Sequence, residues 1–148
     1  MKLKNRVAIV TGGGKGIGRE ICIGLSKEGA KIVIADLDKE NSSKVINDIK
    51  NVGSDAIVVE TDISNESSVD NLILETTKKF GKIDILINNA GIRHVKKLAN
   101  HNLKDWNDML SVNLTGPYIC SKAAIPEMKK VGKGKIINFG SIASFMGR

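Results

Sequence analysis

The sequence is poor in aromatic residues, and this shortage narrows the classes of partner that the protein can have. Aromatic residues make up 3% of the 148 residues, and the lysines are scattered without a dense basic block. Proteins that bind single-stranded nucleic acid stack bases on aromatic side chains within a basic groove. The net charge of +7 therefore indicates a solvated, lysine-rich surface and no nucleic-acid partner.

Cysteine and histidine are equally scarce, with two of each in the chain. Cys22 and Cys120 lie far apart in apolar helical contexts, which predicts two buried, reduced thiols. His94 and His101 have no cysteine near them that would complete a set of metal ligands. We therefore expect neither a disulfide nor a metal site.

Long uncharged apolar runs are also missing. No window approaches the roughly 18 apolar residues that a membrane-spanning helix requires. Residues Met1 to Arg6 lead directly into the first apolar run, without the apolar segment of a secretory leader. We expect a cytoplasmic protein with no membrane partner.

What the chain does contain is a regular alternation of short apolar runs and helical stretches. The runs are apolar on both faces, which is typical of parallel strands that are covered on two sides. Strands are predicted at Val7–Val10, Lys31–Ala35, Ala56–Val59, Ile83–Ile87 and Lys135–Phe139. Helices are predicted between them at Gly18–Lys27, Asn41–Asn51, Ser67–Phe80 and Leu103–Lys130.

Turn residues support these limits. Ser64 to Ser67 offers an N-cap for the third helix, and Gly116-Pro117 inside the fourth predicts a bend or an interruption. Glycines follow the four predicted helices, at Gly29, Gly53, Gly81 and Gly132. The alternation predicts an α/β fold, a doubly wound parallel sheet with helices on both faces, in a single domain over residues 1–148.

The first predicted strand runs into a glycine-dense turn. The spacing Gly12-x-x-x-Gly16-x-Gly18 opens onto a helix, so backbone N–H groups meet at a helix N-terminus, where a pyrophosphate can bind. The spacing differs from the G-x-G-x-x-G fingerprint, and Arg19-Glu20 after the last glycine excludes a Walker A loop. A tight turn without any ligand is the alternative interpretation.

Asp36 ends the second predicted strand, roughly twenty residues beyond the turn. A carboxylate at this position can accept hydrogen bonds from both hydroxyls of an adenosine ribose, and a simple strand-end turn residue is the alternative. The carboxylate would repel a 2′-phosphate, whereas Lys15 in the glycine turn would attract one. We expect NAD and not NADP, because the strand end directs Asp36 at the ribose while the lysine is flexible and solvated.

Five short motifs follow one another along the chain. They are Thr11-Gly12-x-x-x-Gly16-Ile17-Gly18, Asp62-Ile63, Asn88-Asn89-Ala90-Gly91, Ser111-Val112-Asn113-Leu114-Thr115-Gly116 and Ile136-Ile137-Asn138-Phe139-Gly140-Ser141. With these motifs in this order, the chain resembles the short-chain dehydrogenase/reductase family over all 148 residues. The resemblance implies a Rossmann-like sheet and an NAD(P)-dependent oxidoreductase. The implied reaction is hydride transfer between the nicotinamide and a small carbonyl or alcohol substrate, such as a 3-oxoacyl compound, a sugar or another secondary alcohol.

The resemblance also implies a role for individual residues. Asp62 is expected to bind the adenine amino group, with Ile63 beside the ring. Ser141 is expected to donate to the substrate carbonyl oxygen, and Asn113 to position a water for a proton relay. The implied cofactor-binding residues are Gly12, Gly14, Lys15, Gly16, Ile17, Gly18, Asp36, Leu37, Asp62, Ile63, Asn89, Ala90 and Gly91.

Plainer roles stay open for several of these residues. Asn88 and Asn89 could stitch neighbouring strands together, and Asn113 could ease a helix bend. Ser141 could be a strand-end hydroxyl, with Ser144 nearby as its rival. We favour Ser141, because the pair Gly140-Ser141 directly follows the fifth predicted strand.

The general acid of the family is a Tyr-x-x-x-Lys pair that follows the serine, and only seven residues follow Ser141 in the chain of 148. The stretch Tyr118-Ile-Cys-Ser-Lys122 matches the pattern by letter but precedes the serine, so we expect Tyr118 to cover surface. We expect the N-terminal, cofactor-binding portion of such an enzyme, inactive alone, with its fifth strand at an unprotected edge. A dinucleotide-binding module without catalysis is the alternative.

Two further expectations concern surfaces. His94, Lys96 and Lys97 follow Gly91, and a solvated loop is the simpler interpretation than contact with a substrate. The resemblance implies a homo-oligomer, a dimer or a tetramer, to which the helices in Leu103–Lys130 contribute.

Overall fold

Five parallel strands form one sheet, and the chain passes between successive strands through helices. The computed structural model describes residues 1–142 and 146. The strands are β1 (Val7–Thr11), β2 (Lys31–Asp36), β3 (Ala56–Glu60), β4 (Ile85–Asn88) and β5 (Lys135–Asn138). Their order across the sheet is β3-β2-β1-β4-β5, with every pairing parallel. The predicted doubly wound sheet is therefore confirmed.

The helices differ from the prediction mainly in the last stretch. The helical elements are α1 (Gly16–Lys27), α2 (Lys39–Asn51), α3 (Glu66–Phe80), a single 3₁₀ turn (Leu98–Asn100), α4 (Leu103–Leu110), a π turn (Ser111–Thr115) and α5 (Gly116–Lys130). The predicted interruption at Gly116 is thus a π turn that ends just before it. In the part of the chain that the structure describes, no helix combines the length and the apolar character needed to cross a membrane.

Both faces of the sheet are packed, which explains the unbroken apolar run of β1. Val7 and Ile9 contact the helices on one face, and Ala8 and Val10 contact those on the other. All four side chains have 0% exposure. The first core continues through α3 and α5, and the second through α1 and α2. Each large apolar side chain that is fully buried contributes roughly 1.5–3 kcal/mol to folding.

Both cysteines lie inside these cores. Cys22 and Cys120 are buried and free, as the sequence predicts. Burial raises the pKa of each thiol to about 12. The two sulfur atoms are therefore protonated and unreactive at neutral pH.

β5 forms one edge of the sheet and pairs with β4 alone among the described strands. Ile137 is 48% exposed, and Phe139 just beyond the strand is 49% exposed. The unprotected edge that the sequence predicts at this strand is therefore present in the structure.

Asp84 fastens the beginning of β1 to the chain just before β4. Its Oδ2 accepts a hydrogen bond from the Val7 N–H at 2.9 Å and contacts Lys82 Nζ at 2.8 Å. Its Oδ1 accepts from Arg6 Nη1 at 2.5 Å. β4 begins at Ile85, two residues after the predicted start at Ile83, and its pairing with β1 starts at Ala8 and Ile85. The backbone of Asp84 also bonds to both neighbouring strands, because its N–H donates to the Val7 carbonyl at 3.0 Å and its carbonyl accepts from the Lys135 N–H at 3.0 Å.

These contacts also set the charge state of the Asp84 carboxyl. Burial alone would raise its pKa, but hydrogen bonds from Lys82, from the Val7 N–H and from Arg6 hold the pKa below its ordinary value. The carboxylate therefore stabilises the folded state above the unfolded pKa of about 4, and this contribution is lost as the pH falls through the lowered folded pKa.

Replacing Asp84 with alanine is expected to lower the free energy of unfolding by about 2–3 kcal/mol at pH 7, because a buried N–H and two cations lose their acceptor. Urea unfolding monitored by circular dichroism measures this difference. The matched control is Asp70→Ala, because Asp70 is exposed on α3. The Asp84 effect should shrink below about pH 4, where the carboxyl of the unfolded chain is protonated. An equal loss at pH 3 and pH 7 would contradict this account.

Candidate functional site

A cleft of about 430 Å³ opens where the chain leaves the carboxyl ends of β1, β2, β3 and β4. β1 lies between β2 and β4, so the chain crosses over in opposite directions on its two sides. Open parallel sheets bind ligands at such a point of reversal. The fold alone therefore places a candidate site here.

The glycine turn after β1 builds one wall of the cleft. Gly12 adopts a positive φ of 64°, and its N–H donates to the Ala35 carbonyl at 2.8 Å. A Cβ at Gly18 would overlap the Gly12 carbonyl oxygen and lie 2.7 Å from Asn89 Nδ2. The absence of a side chain at Gly18 therefore lets α1 begin directly against the ends of the strands.

The first turn of α1 presents backbone N–H groups at this wall. The N-cap residue Lys15 makes no side-chain capping bond, and the first turn contains no acidic residue. The first N–H groups of an α-helix have no partner within the helix. They and the helix dipole favour an anion such as a phosphate.

Asp36 stands at the end of β2 with both carboxylate oxygens already oriented. Its Oδ2 accepts from the Gly14 N–H at 2.8 Å, and its Oδ1 accepts from the Asp38 N–H at 3.0 Å. Each oxygen can accept a further hydrogen bond. The carboxylate is thus fixed in place while it keeps capacity for a ligand hydroxyl.

Asp38 and Lys15 bring opposite charges to the same end of the cleft. Hydrogen bonds from the Asn41 backbone and side chain, with a smaller effect of Lys15, lower the pKa of the Asp38 carboxyl. Asp38 also caps α2 by accepting from the Asn41 N–H at 3.0 Å. Asp38 therefore serves mainly as the N-cap of α2, although it also lines the cleft.

Thr11 and Asn89 join the ends of β1 and β4 behind the cleft. Thr11 Oγ1 accepts from the N–H groups of Asn89 and Ala90, each at 3.0 Å. Asn89 Nδ2 donates to the carbonyls of Thr11 at 2.9 Å and Gly12 at 3.1 Å. Asn88 Nδ2 donates to Asn138 Oδ1 on β5 at 2.8 Å. Both asparagines thus stitch neighbouring strands together, and Asn89 also lines the cleft.

Asp62 and Ile63 follow β3 at the far end of the cleft. Asp62 Oδ1 accepts from the Ser64 N–H at 2.9 Å and from Ser64 Oγ at 2.6 Å. Ile63 is 5% exposed, and a Cβ at Gly116 would lie 2.6 Å from its Cδ1. α5 therefore begins in direct contact with this part of the site.

Asn113, in the π turn, does not line the cleft but holds the loop that leaves it. Its Oδ1 accepts from the Ile92 N–H at 2.8 Å, and its Nδ2 donates to the Ile92 carbonyl at 2.9 Å. The side-chain amide is thus paired on both sides with one backbone unit. This clamp sets the direction of the chain immediately after the residues that line the cleft.

Ser141 and Tyr118 lie in different parts of the structure. Ser141 is exposed beyond the carboxyl end of β5, on the edge of the sheet where the cleft opens. Ser144 lies outside the described residues. Tyr118 is 61% exposed on α5, and Lys122 Nζ lies 5.9 Å from its ring centroid. Tyr118 is therefore a surface residue, as expected from the sequence.

The structure brings most of the predicted cofactor-binding residues into one cleft. Those that line it are Gly12, Lys15, Ile17, Gly18, Asp36, Leu37, Asp62, Ile63, Asn89, Ala90 and Gly91. Gly14 lies behind Asp36, where a Cβ would be 2.7 Å from Ser42 Oγ, and Gly16 faces a neighbouring recess.

Sequence reasoning missed five lining residues, Ala35, Asp38, Thr61, Ile92 and Val112. Ala35 and Thr61 are chain neighbours of Asp36 and Asp62, which lie at the ends of strands. Their position next to predicted site residues could have identified them from the sequence. Val112 reaches the cleft only because the π turn packs against the loop, and no sequence pattern indicates that contact.

Replacing Asn113 with alanine removes both hydrogen bonds to Ile92. We expect a loss of about 1–2 kcal/mol in the free energy of unfolding and at least about tenfold faster hydrogen exchange at the Ile92 amide. Exchange measured by NMR on the folded chain checks this. Asn107→Ala on α4 is the control, since Asn107 is exposed. Unchanged protection of Ile92 in Asn113→Ala would show that the clamp does not hold the loop.

Comparison with known proteins gives a consistent result. The family model described as short chain dehydrogenase matches residues 6–148. An uncharacterized oxidoreductase of Thermotoga maritima is 41% identical over 97% of this chain and 56% of its own length. The 3-oxoacyl-[acyl-carrier-protein] reductase of Synechocystis sp. is 38% identical over 98% of this chain and 59% of its own length.

A solved structure of NAD⁺-bound xylitol dehydrogenase superposes with a TM-score of 0.95 at 30% identity, over 100% of this chain and 57% of that one. A putative short-chain alcohol dehydrogenase of Sinorhizobium meliloti 1021 gives the same TM-score at 28% identity. The chain therefore spans little more than half the length of the relatives it matches.

Proposed function

The chain belongs to the short-chain dehydrogenase family, and we propose that it supplies the dinucleotide site of a nicotinamide-dependent oxidoreductase. One observation carries the proposal: the open first turn of α1 and the Asp36 carboxylate line the same cleft. The first favours a pyrophosphate and the second a ribose. An anion site and a hydroxyl site in one cleft are what one half of a dinucleotide requires.

The proposed reaction is hydride transfer involving a small carbonyl or alcohol substrate. A bound nicotinamide would supply or accept the hydride. Ser141, beyond β5, would donate a hydrogen bond to the substrate oxygen as negative charge develops there. Asn113 would act from outside the cleft, by holding the backbone at Ile92.

We propose NAD as the preferred dinucleotide. Asp36 is fixed by two backbone N–H groups, so its charge cannot swing away from the ribose. A 2′-phosphate on that ribose would meet a carboxylate in a partly buried position, where repulsion is weakly screened. Lys15 is exposed at the same end and would offset only part of this repulsion.

A cytoplasmic location is consistent with this proposal. Cys22 and Cys120 are free and buried, and they form no disulfide within the described chain. Free thiols are the ordinary state of cysteine in a reducing compartment.

Replacing Asp36 with serine is expected to weaken NAD⁺ binding about tenfold, because the ribose loses a charged acceptor. The affinity for NADP⁺ should stay the same or rise, because the repulsion between the Asp36 carboxylate and the 2′-phosphate is removed. Isothermal titration calorimetry on the chain measures both affinities. The control is Asp55→Asn, which changes an exposed acid just before β3. An equal loss for both dinucleotides would show that Asp36 acts only by holding the glycine turn. Failure of the unsubstituted chain to bind either dinucleotide would refute the proposed function.

We also propose that copies of the chain associate through one apolar stripe. Exposed apolar side chains recur every three or four residues along α4, the π turn and α5. They are Leu103, Trp106, Leu110, Leu114 and Tyr118, which are 38–73% exposed. A stripe of this length on a monomer is uncommon and marks an association surface.

Replacing Leu114 with glutamate is expected to shift the association equilibrium towards monomer by at least about tenfold, because a charge would be buried in the contact. Sedimentation velocity over a range of concentrations measures the equilibrium. Leu74→Glu is the matched control, since Leu74 is 61% exposed on α3. A chain that stays monomeric throughout, or an equal effect of the two variants, would exclude this stripe as the contact.

A further inference from the structure

The loop that leaves the cleft after Ile92 concentrates cationic side chains. Arg93, His94, Lys96 and Lys97 fall within five consecutive residues and line one shallow, open recess of the surface. Ile92 itself lines the cleft, and Arg93 is its chain neighbour. The residues that line the recess therefore follow directly in the chain on those that line the cleft.

One carboxylate in the described chain neutralises part of this charge. Asp105 Oδ2 contacts Lys96 Nζ at 2.7 Å and accepts from the Asn102 N–H at 3.2 Å. Asp105 is 8% exposed. The hydrogen bonds from Lys96 and Asn102, with a smaller effect of His94, lower the pKa of its carboxyl. Lys96 is thus committed to a structural ion pair.

The remaining cations are not compensated. Within residues 1–142 and 146, no ion pair includes Arg93 or Lys97. His94 adds a polar atom in the same place, because its Nε2 is shielded from solvent and has no hydrogen-bond partner in the described structure. A shielded polar atom without a partner has lost its hydrogen bond to water, and a ligand oxygen would restore one.

The loop is held in place at both ends. At one end, the Asn113 side chain pairs with the N–H and the carbonyl of Ile92. Towards the other end, Asp105 on α4 accepts a hydrogen bond from the Lys96 side chain. The charges of Arg93 and Lys97 are therefore presented from an anchored segment. Pre-organised charges bind a ligand with less loss of conformational entropy than charges on a free chain.

We propose that this loop, residues 92–97, selects substrates that carry an anionic group, a carboxylate or a phosphate, beside the reacting carbonyl or alcohol. Arg93 and Lys97 are the specificity-determining residues, and His94 Nε2 supplies a further hydrogen-bonding atom. This inference rests on the proposed function, because it assigns the substrate class of the same site.

The test uses two matched pairs of probes on the chain saturated with NAD⁺. Acetoacetate is compared with its uncharged amide, acetoacetamide, and dihydroxyacetone phosphate with dihydroxyacetone. We expect the charged member of at least one pair to bind about tenfold more tightly, with NMR shift changes concentrated at residues 92–97. The two pairs distinguish a carboxylate from a phosphate preference.

Variants then assign the preference to the loop. Arg93→Gln and Lys97→Gln should each reduce the charged-over-neutral ratio about threefold, and the double variant should abolish it. Both side chains are exposed, so the spectra of the variants outside the loop should match those of the parent chain. Lys50→Gln removes an exposed lysine from α2 and should leave the ratio unchanged.

Equal affinity for charged and neutral probes would overturn the proposal. An equal effect of Lys50→Gln, or shift changes spread over lysines of the whole surface, would also overturn it, since both indicate general counterion binding. Titration with NAD⁺ alone separates the two proposals. If NAD⁺ does not bind, the proposed function fails, and the same probes on the dinucleotide-free chain still measure whether residues 92–97 prefer anions.

Discussion

The close joining of β1, β4 and α1 is the constraint on which the site depends. Thr11 and Asn89 bind the two strand ends together, and Gly18 brings the first turn of the helix against them. This junction leaves no room for a side chain at Gly18, in the first turn of α1. The cleft exists because the strand ends are fixed there and the helix begins immediately beside them.

Much of the fold can be predicted from the sequence, because parallel strands covered on both faces produce apolar runs that need no knowledge of tertiary contacts. The exceptions have tertiary causes. The Asp84 carboxylate binds the Val7 N–H on the neighbouring strand, and the fourth helical stretch contains a π turn in which Asn113 binds Ile92. Local propensity does not reveal which distant residue a side chain will bind, so neither contact could be predicted from the sequence.

The candidate site divides in the same way. Residues that act through a local motif, such as Gly12 and Asp36, were found from spacing, and they lie in the cleft. Val112 was missed because packing brings it there, and Gly14 was included although it supports Asp36 from behind. Three carboxylates that look alike in the sequence serve different ends. Asp84 binds the beginning of β1, Asp36 lines the cleft with capacity for a ligand hydroxyl, and Asp105 binds Lys96 in the loop.

The π turn at Ser111–Thr115 has a consequence for how the chain can vary in length. Such a turn is geometrically equivalent to one extra residue inserted in an α-helix, and each residue of a helix rotates the rest of the helix by about 100°. Deleting a single residue there would restore regular winding and turn α5 relative to α4. After such a deletion, the helix could not both keep the hydrogen bonds from Asn113 to Ile92 and present Leu110 and Leu114 on the same side. Homologous chains that keep both features should therefore tolerate substitutions at the other positions of this segment but no insertion or deletion within it.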